Sequence, residues 1–165
     1  MATTSLGGNP VQTVGDLPAT GEKAPPFTLT GADLSEVSSD SFSGSRVVLN
    51  IFPSLDTATC AASVREFNQR AAALDNTVVV CASADLPFAA RRFCETEGIE
   101  NVTTGSAFRS SFGTDYGVTL TDSPMRGLLA RAVVVLDTDG TVLHTELVPS
   151  IGQEPDYDAA TAALG

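Results

Sequence analysis

Two short runs of nearly unbroken apolar residues, RVVLNIF at 46–52 and NTVVVCASAD at 76–85, constrain this chain more than any other feature. Both are rich in β-branched side chains, and neither alternates polar with apolar. Strands of that composition are covered on both faces, as parallel central strands are. The stretch between them turns helical at Ala58 and stays so to about Leu74, because Val64, Phe67, Ala71 and Leu74 recur at spacings of three and four. Cys60 lies four residues before Val64 on the same face, and Asp56 or Thr57 offers an N-cap. Strand, helix and strand make a parallel unit whose middle element opens near a cysteine.

The flanking segments extend the pattern. Residues 1–22, with the short alternation PVQTVGDLP, predict a small β-hairpin or extension laid over the rest. Pro25-Pro26 excludes helix, FTLT at 27–30 predicts a short strand, and the Ser/Asp-rich residues after it a loop. LPFAARRFCETEG at 86–98 predicts a second helix, opened by Pro87 and closed by Gly98, with Cys94 in its last turns. NVTTGSAF at 101–108 is a short strand or loop, and RSSFGTDYGV at 109–118 is irregular. ARAVVVLDTDGTVLHTELV at 130–148 predicts a hairpin turning through DTDG, and DYDAATAAL at 156–164 a terminal helix. Parallel βαβ units followed by an antiparallel hairpin and a helix give an α/β class and a thioredoxin-like arrangement. The expectation is a central mixed sheet flanked by helices, with an N-terminal β-hairpin extension. With 165 residues and no repeat or linker, one domain over residues 1–165 is expected.

Composition narrows the function. Twenty Asp+Glu against nine Lys+Arg give a net charge of −11, which repels a phosphate backbone, so no nucleic-acid partner is expected. No apolar run approaches the ~20 residues that span a bilayer, and MATTSLGGNP lacks the basic and apolar regions of a secretory leader. A cytoplasmic protein without a membrane partner is the expectation. The cysteines number three (Cys60, Cys81 and Cys94), no CxxC occurs, and His144 is the single histidine. That inventory suits neither a secreted disulfide framework nor a structural zinc site of about four N/S ligands. A disulfide in a reducing compartment is more often transient and catalytic. Asp137-Thr138-Asp139-Gly140 lacks the closing Glu of a calcium loop and is a turn.

The stretch FPSLDTATC, Phe52 to Cys60, follows directly on the first apolar run. A free thiol titrates at about 8.5, so only a few per cent is thiolate near neutrality. The unpaired N–H groups of a helix's first turn favour an anion there, and a guanidinium would add to the effect. Thr57 can place its hydroxyl beside the sulfur, and Pro53, without an N–H, stiffens and shields the turn. The carboxyl end of a central strand is where α/β sites gather. The competing reading is a buried cysteine acting as a small hydrophobe. That reading fits Cys81, which ends a strand of valines and is expected to be unreactive core.

Pro53, Thr57 and Cys60 form a Pro-x-x-x-Thr-x-x-Cys string, on which the chain resembles the peroxiredoxins. NIFPSLDTATCAASVREFN, NPVQTVGDLPATGEKAPPFTL, FCETEGIENV, FRSSFGTDYGV and GLLARAVVVLDTDGTVLH are similar to the thiol peroxidase subgroup, atypical two-cysteine type, in colinear order over nearly the whole chain. The resemblance implies that Cys60 attacks a peroxide and becomes a sulfenic acid. It further implies that Thr57 and Arg131 stabilise thiolate and peroxide, that Pro53 shields them, and that Cys94 closes an intrachain disulfide with Cys60. Implied partners are hydrogen peroxide or small organic hydroperoxides, a thioredoxin-like reductant protein and a second copy in a homodimer, with Phe and Leu residues near Arg109–Phe112 as interface candidates. No metal, haem or nicotinamide cofactor is implied. A disulfide needs Cα atoms within about 7 Å, so both helices are expected to unwind locally before Cys60 and Cys94 join.

The chain departs from the family pattern at Ser123, at Met125-Arg126 and at Gly105. Two rival functions stand beside the peroxidase. Cys60-Ala61-Ala62-Ser63 reads formally as CxxS, as in a monothiol thiol–disulfide oxidoreductase. A non-enzymatic redox sensor would use the same thiols. His144, in a hairpin strand, is expected to be structural or exposed.

Overall fold

The computed structural model describes residues 1–165. At its centre β5 (Arg46–Ile51) and β6 (Thr77–Ser83) pair in parallel, from Arg46↔Thr77 to Ile51↔Ala82. Helix α1 (Ala58–Ala71) makes the crossover between them. Helix α2 (Pro87–Glu97) then leads to β7 (Thr103–Ser106), parallel to β6 on its far side. Two crossovers of one hand stepping in one direction put both helices on one face. On the other flank of β5, β8 (Ala132–Leu136) runs antiparallel, with β9 (Val142–Leu147) outside it. β3 (Thr28–Thr30) and β4 (Glu36–Ser38) complete the seven-stranded mixed sheet, ordered β4-β3-β7-β6-β5-β8-β9. β1 (Thr3–Leu6) and β2 (Asn9–Gln12) form the separate N-terminal hairpin.

Alternate residues of the central strands enter two different cores, which is why the runs are apolar throughout. Val48, Val79, Cys81, Val133 and Val135 face Cys60, Val64 and Phe67 of α1, Ala90 of α2, and Ala160 of α4 (Tyr157–Ala162). Val47, Leu49, Ile51, Val80 and Val134 face Phe27, Phe112 and Tyr116 on the opposite side. There Phe112 and Tyr116 stack at 4.6 Å between centroids, and the buried Tyr116 hydroxyl donates to Pro25 O at 2.7 Å.

Two segments differ from the sequence expectation. The Ser/Asp-rich stretch is not all loop: it holds β4 and a 3-10 turn, Ser39–Phe42. Only Val37 of β4 is buried, so the stretch shows no run of apolar residues to mark it as a strand. The stretch 109–118 contains a single helical turn, α3 (Phe112–Asp115), too short for periodicity to show. Helix α1 stops at Ala71, yet Leu74 still packs on the same apolar face from the turn beyond. Gly98 ends α2 in the left-handed conformation at φ 66°, as its position implied.

Gly105 sits against Leu29 with no room for a side chain: a Cβ there would lie 2.9 Å from Leu29 Cβ and 2.7 Å from its Cδ1. Leu29 fills the space that the missing side chain leaves. Gly105→Val is therefore expected to lower stability by about 1–3 kcal/mol, the usual range for overpacking, as read from the urea midpoint.

Candidate active site around Cys60

The turn after β5 is pinned at its start, where Phe52 N donates to Ala82 O at 3.1 Å, and Phe52, Pro53 and Leu55 are all buried. Thr57 is the N-cap of α1, in extended conformation (φ −96°, ψ 145°), its hydroxyl oxygen accepting from Cys60 N at 3.2 Å. The same hydroxyl donates to Ser54 O at 3.3 Å, so its hydrogen is turned toward the preceding loop. Cys60 is the third residue of the helix and 0% exposed. Its place in the first turn leaves it among the helix's unpaired N–H groups, where negative charge is favoured.

Arg131 reaches this sulfur through sheet topology. Because β8 runs antiparallel to β5 with Ile51 opposite Ala132, the residue just before β8 stands beside the carboxyl end of β5. Arg131 is 2% exposed, its Nη2 donates to Cys60 Sγ at 3.2 Å, and its Nε donates to Ile151 O at 2.7 Å. Its Nη1 is buried without a partner. The segment supplying Ile151 is braced by the N-terminal hairpin: Thr4 Oγ1 donates to Val148 O at 2.8 Å, and Ile151 N donates to Ser5 O at 2.8 Å. Thr59 in the first turn of α1 ties to the same segment, donating to Gly152 O at 3.2 Å. A buried cation is costly unless it is partnered, and here the partners are the Cys60 sulfur and the Ile151 carbonyl.

Three further groups act on the turn without having been visible in the sequence. Asn50, fully buried within β5, donates to Ser63 Oγ at 3.2 Å, and Ser63 donates to Cys60 O at 2.7 Å. Asp85, after β6, accepts from Ser54 Oγ and from Leu55 N, each at 2.8 Å. The only available signal was a polar residue inside an apolar run at Asn50 and an acid at a strand end at Asp85; their partners lie 13 and about 30 residues away.

Pro53, Thr57, Cys60 and Arg131 thus gather at the carboxyl end of β5, whereas Cys94 does not join them. It is half-buried on α2, seven residues after Pro87, which at ~1.5 Å per residue is about 10 Å back along the sheet. All three cysteines are free thiols. Burial pushes the Cys94 thiol up, and the Glu95 charge adds to it. Burial also pushes Cys81 up to about 12, against the Asn50 hydrogen bond, and the nearby Cys94 raises it further. His144 lies in β9 opposite Val135, on a strand that does not adjoin β5. Gly140 N closes the DTDG turn on Asp137 O at 3.0 Å.

A sequence profile described as Redoxin matches residues 19–161. The chain belongs to the Redoxin family. This redoxin is 63% identical over 165 residues to a thiol peroxidase of Mycobacterium tuberculosis, covering 100% of this chain and 99% of that one. It is 57% identical over 164 residues to a thiol peroxidase of Corynebacterium glutamicum, covering 99% of each. Among solved structures, a peroxiredoxin-like protein from Aquifex aeolicus superposes with a TM-score of 0.94 at 38% identity, covering 99% of this chain and 96% of that one. The fold is the thioredoxin-like one of that group, with the N-terminal hairpin included in the match.

Burial of the Cys81 thiol is expected to make stability fall on the alkaline side. The folded state holds that proton to about pH 12, whereas the ordinary thiol value is 9.0. Its contribution to stability is complete below pH 9.0 and is lost as pH rises toward about 12. Urea midpoints are expected to fall across that window, and less steeply in Cys81→Ala than in the parent protein.

Proposed function

We propose that this redoxin is a thiol-dependent peroxidase in which Cys60 is the nucleophile. The carrying observation is the buried guanidinium of Arg131, one nitrogen 3.2 Å from Cys60 Sγ and another, Nη1, without a partner. A donor left open beside a nucleophile is suited to an oxygen that gains charge during reaction. The Cys60 thiolate attacks one peroxide oxygen, forming an S–O bond as the O–O bond breaks. The electron pair leaves on the other oxygen, which takes a proton to become water or an alcohol, and Cys60 becomes a sulfenic acid. Arg131 stabilises the departing charge, Thr57 caps and orients the helix, and the buried Pro53 keeps water from the turn. A fully buried sulfur admits a small hydroperoxide more readily than a protein disulfide, which sets the monothiol reading behind this one.

In the second half of the cycle, Cys94 attacks the sulfenic sulfur, water leaves with the thiol proton, and a Cys60–Cys94 disulfide forms. Both cysteines sit inside helices, so α1 and α2 unwind locally for this step. A thioredoxin-type dithiol protein then reduces the disulfide, and no resident metal or organic cofactor takes part. The whole chain acts as one cytoplasmic domain. The exposed Leu86, Phe88 and Phe108 offer an apolar rim for a homodimer beside the site, adjoining the Arg109–Phe112 stretch.

Peroxide consumption coupled to a thioredoxin system tests the reading. Cys60→Ser is expected to abolish turnover, Cys81→Ser to leave it near normal, and Cys94→Ser to permit one turnover without recycling. A peptide map showing a disulfide through Cys81, or turnover surviving in Cys60→Ser, would refute it. Arg131→Met should cost about 10²–10³-fold in peroxide reactivity.

A further inference from the structure

One carboxylate outside the reacting groups ties the Cys60 turn to the sheet. Asp85 Oδ1 accepts from Ser54 Oγ at 2.8 Å, and Oδ2 accepts from Leu55 N at 2.8 Å and from Ser83 Oγ at 2.7 Å. Ser54 Oγ also accepts from Asp56 N at 3.1 Å, and Ser54 O accepts from the Thr57 hydroxyl at 3.3 Å. A continuous run of hydrogen bonds therefore leads from the end of β6 to the cap of the helix that bears Cys60. Asp85 also directly precedes Leu86, the N-cap of α2, the helix that bears Cys94. Two ion pairs also join α1 or its entry turn to α2 itself, Arg92–Asp56 at 3.8 Å and Arg65–Glu97 at 2.9 Å. Both are exposed pairs of the kind that contribute little. Asp85 is half-buried and bonds to a backbone N–H, so it is the stronger tie.

We infer that Asp85 is a positioning residue that latches the reduced conformation. It holds residues 54–57 in order for attack on peroxide, and it must let go before Cys60 can meet Cys94. The inference rests on the peroxidase reading above. It has a signature that simple support of the fold lacks, because the two chemical steps need opposite states of the turn. Attack needs the turn ordered around Thr57 and Arg131. Disulfide formation needs it released, with α1 and α2 frayed at their starts.

Rapid mixing separates the steps as a peroxide-dependent phase followed by a peroxide-independent one. Asp85→Ala is expected to slow the first by at least about tenfold, ~1.4 kcal/mol of barrier, and to accelerate the second several-fold, with less over-oxidised Cys60 at high peroxide. Asp85→Asn should restore both phases, since its Oδ1 can accept from Leu55 N and Ser83 Oγ while its amide donates to Ser54 Oγ. Ser54→Ala should shift both phases in the directions of Asp85→Ala, but less. Parallel slowing of both phases, no change, or Asp85→Asn as impaired as Asp85→Ala would overturn the latch. A parent protein whose first phase does not depend on Cys60 would instead overturn the peroxidase reading, and the latch with it.

Discussion

The site depends on the antiparallel register between β5 and β8. That register places the residue before Ala132 at the carboxyl end of β5, where the chain leaves the sheet to begin the helix carrying Cys60. A guanidinium buried there needs a compensating partner, and the sulfur 3.2 Å away is the one that can carry negative charge. Much of the surrounding chain serves this pair. The N-terminal hairpin holds residues 148–151, Ile151 O fixes the Arg131 Nε, and Thr59 ties the helix start to the same segment. Remote parts of the chain converge because the cation tolerates little misplacement once water is excluded.

The central elements were legible because their patterns are long. The two apolar runs gave β5 and β6, and the three-four spacing from Cys60 to Leu74 gave the buried face of α1. Pro87 and Gly98 marked the ends of α2 to within a residue. β4 and α3 escaped because β4 buries only Val37 in a Ser/Asp-rich stretch and α3 is a single turn.

Within the site, Thr57 and Cys60 could be paired from local spacing alone, since a cap and its N–H partner are three residues apart. Arg131 could not: Arg109 and Arg126 were equally available by composition, and the family resemblance singled it out. Asn50, Ser63 and Asp85 were silent for a different reason. Each acts through a hydrogen bond whose other end lies on another element, so its role exists only once the sheet has formed. Asn50 shows the limit well, being one amide in an otherwise apolar strand that steadies the carbonyl of Cys60 through Ser63.

The unpartnered Nη1 of Arg131 has a further consequence. A reduced thiolate offers one acceptor to a fork that can donate more than once, whereas a sulfinate would offer two oxygens and match the fork in bidentate fashion. The irreversibly damaged enzyme would then be better satisfied internally than the working one.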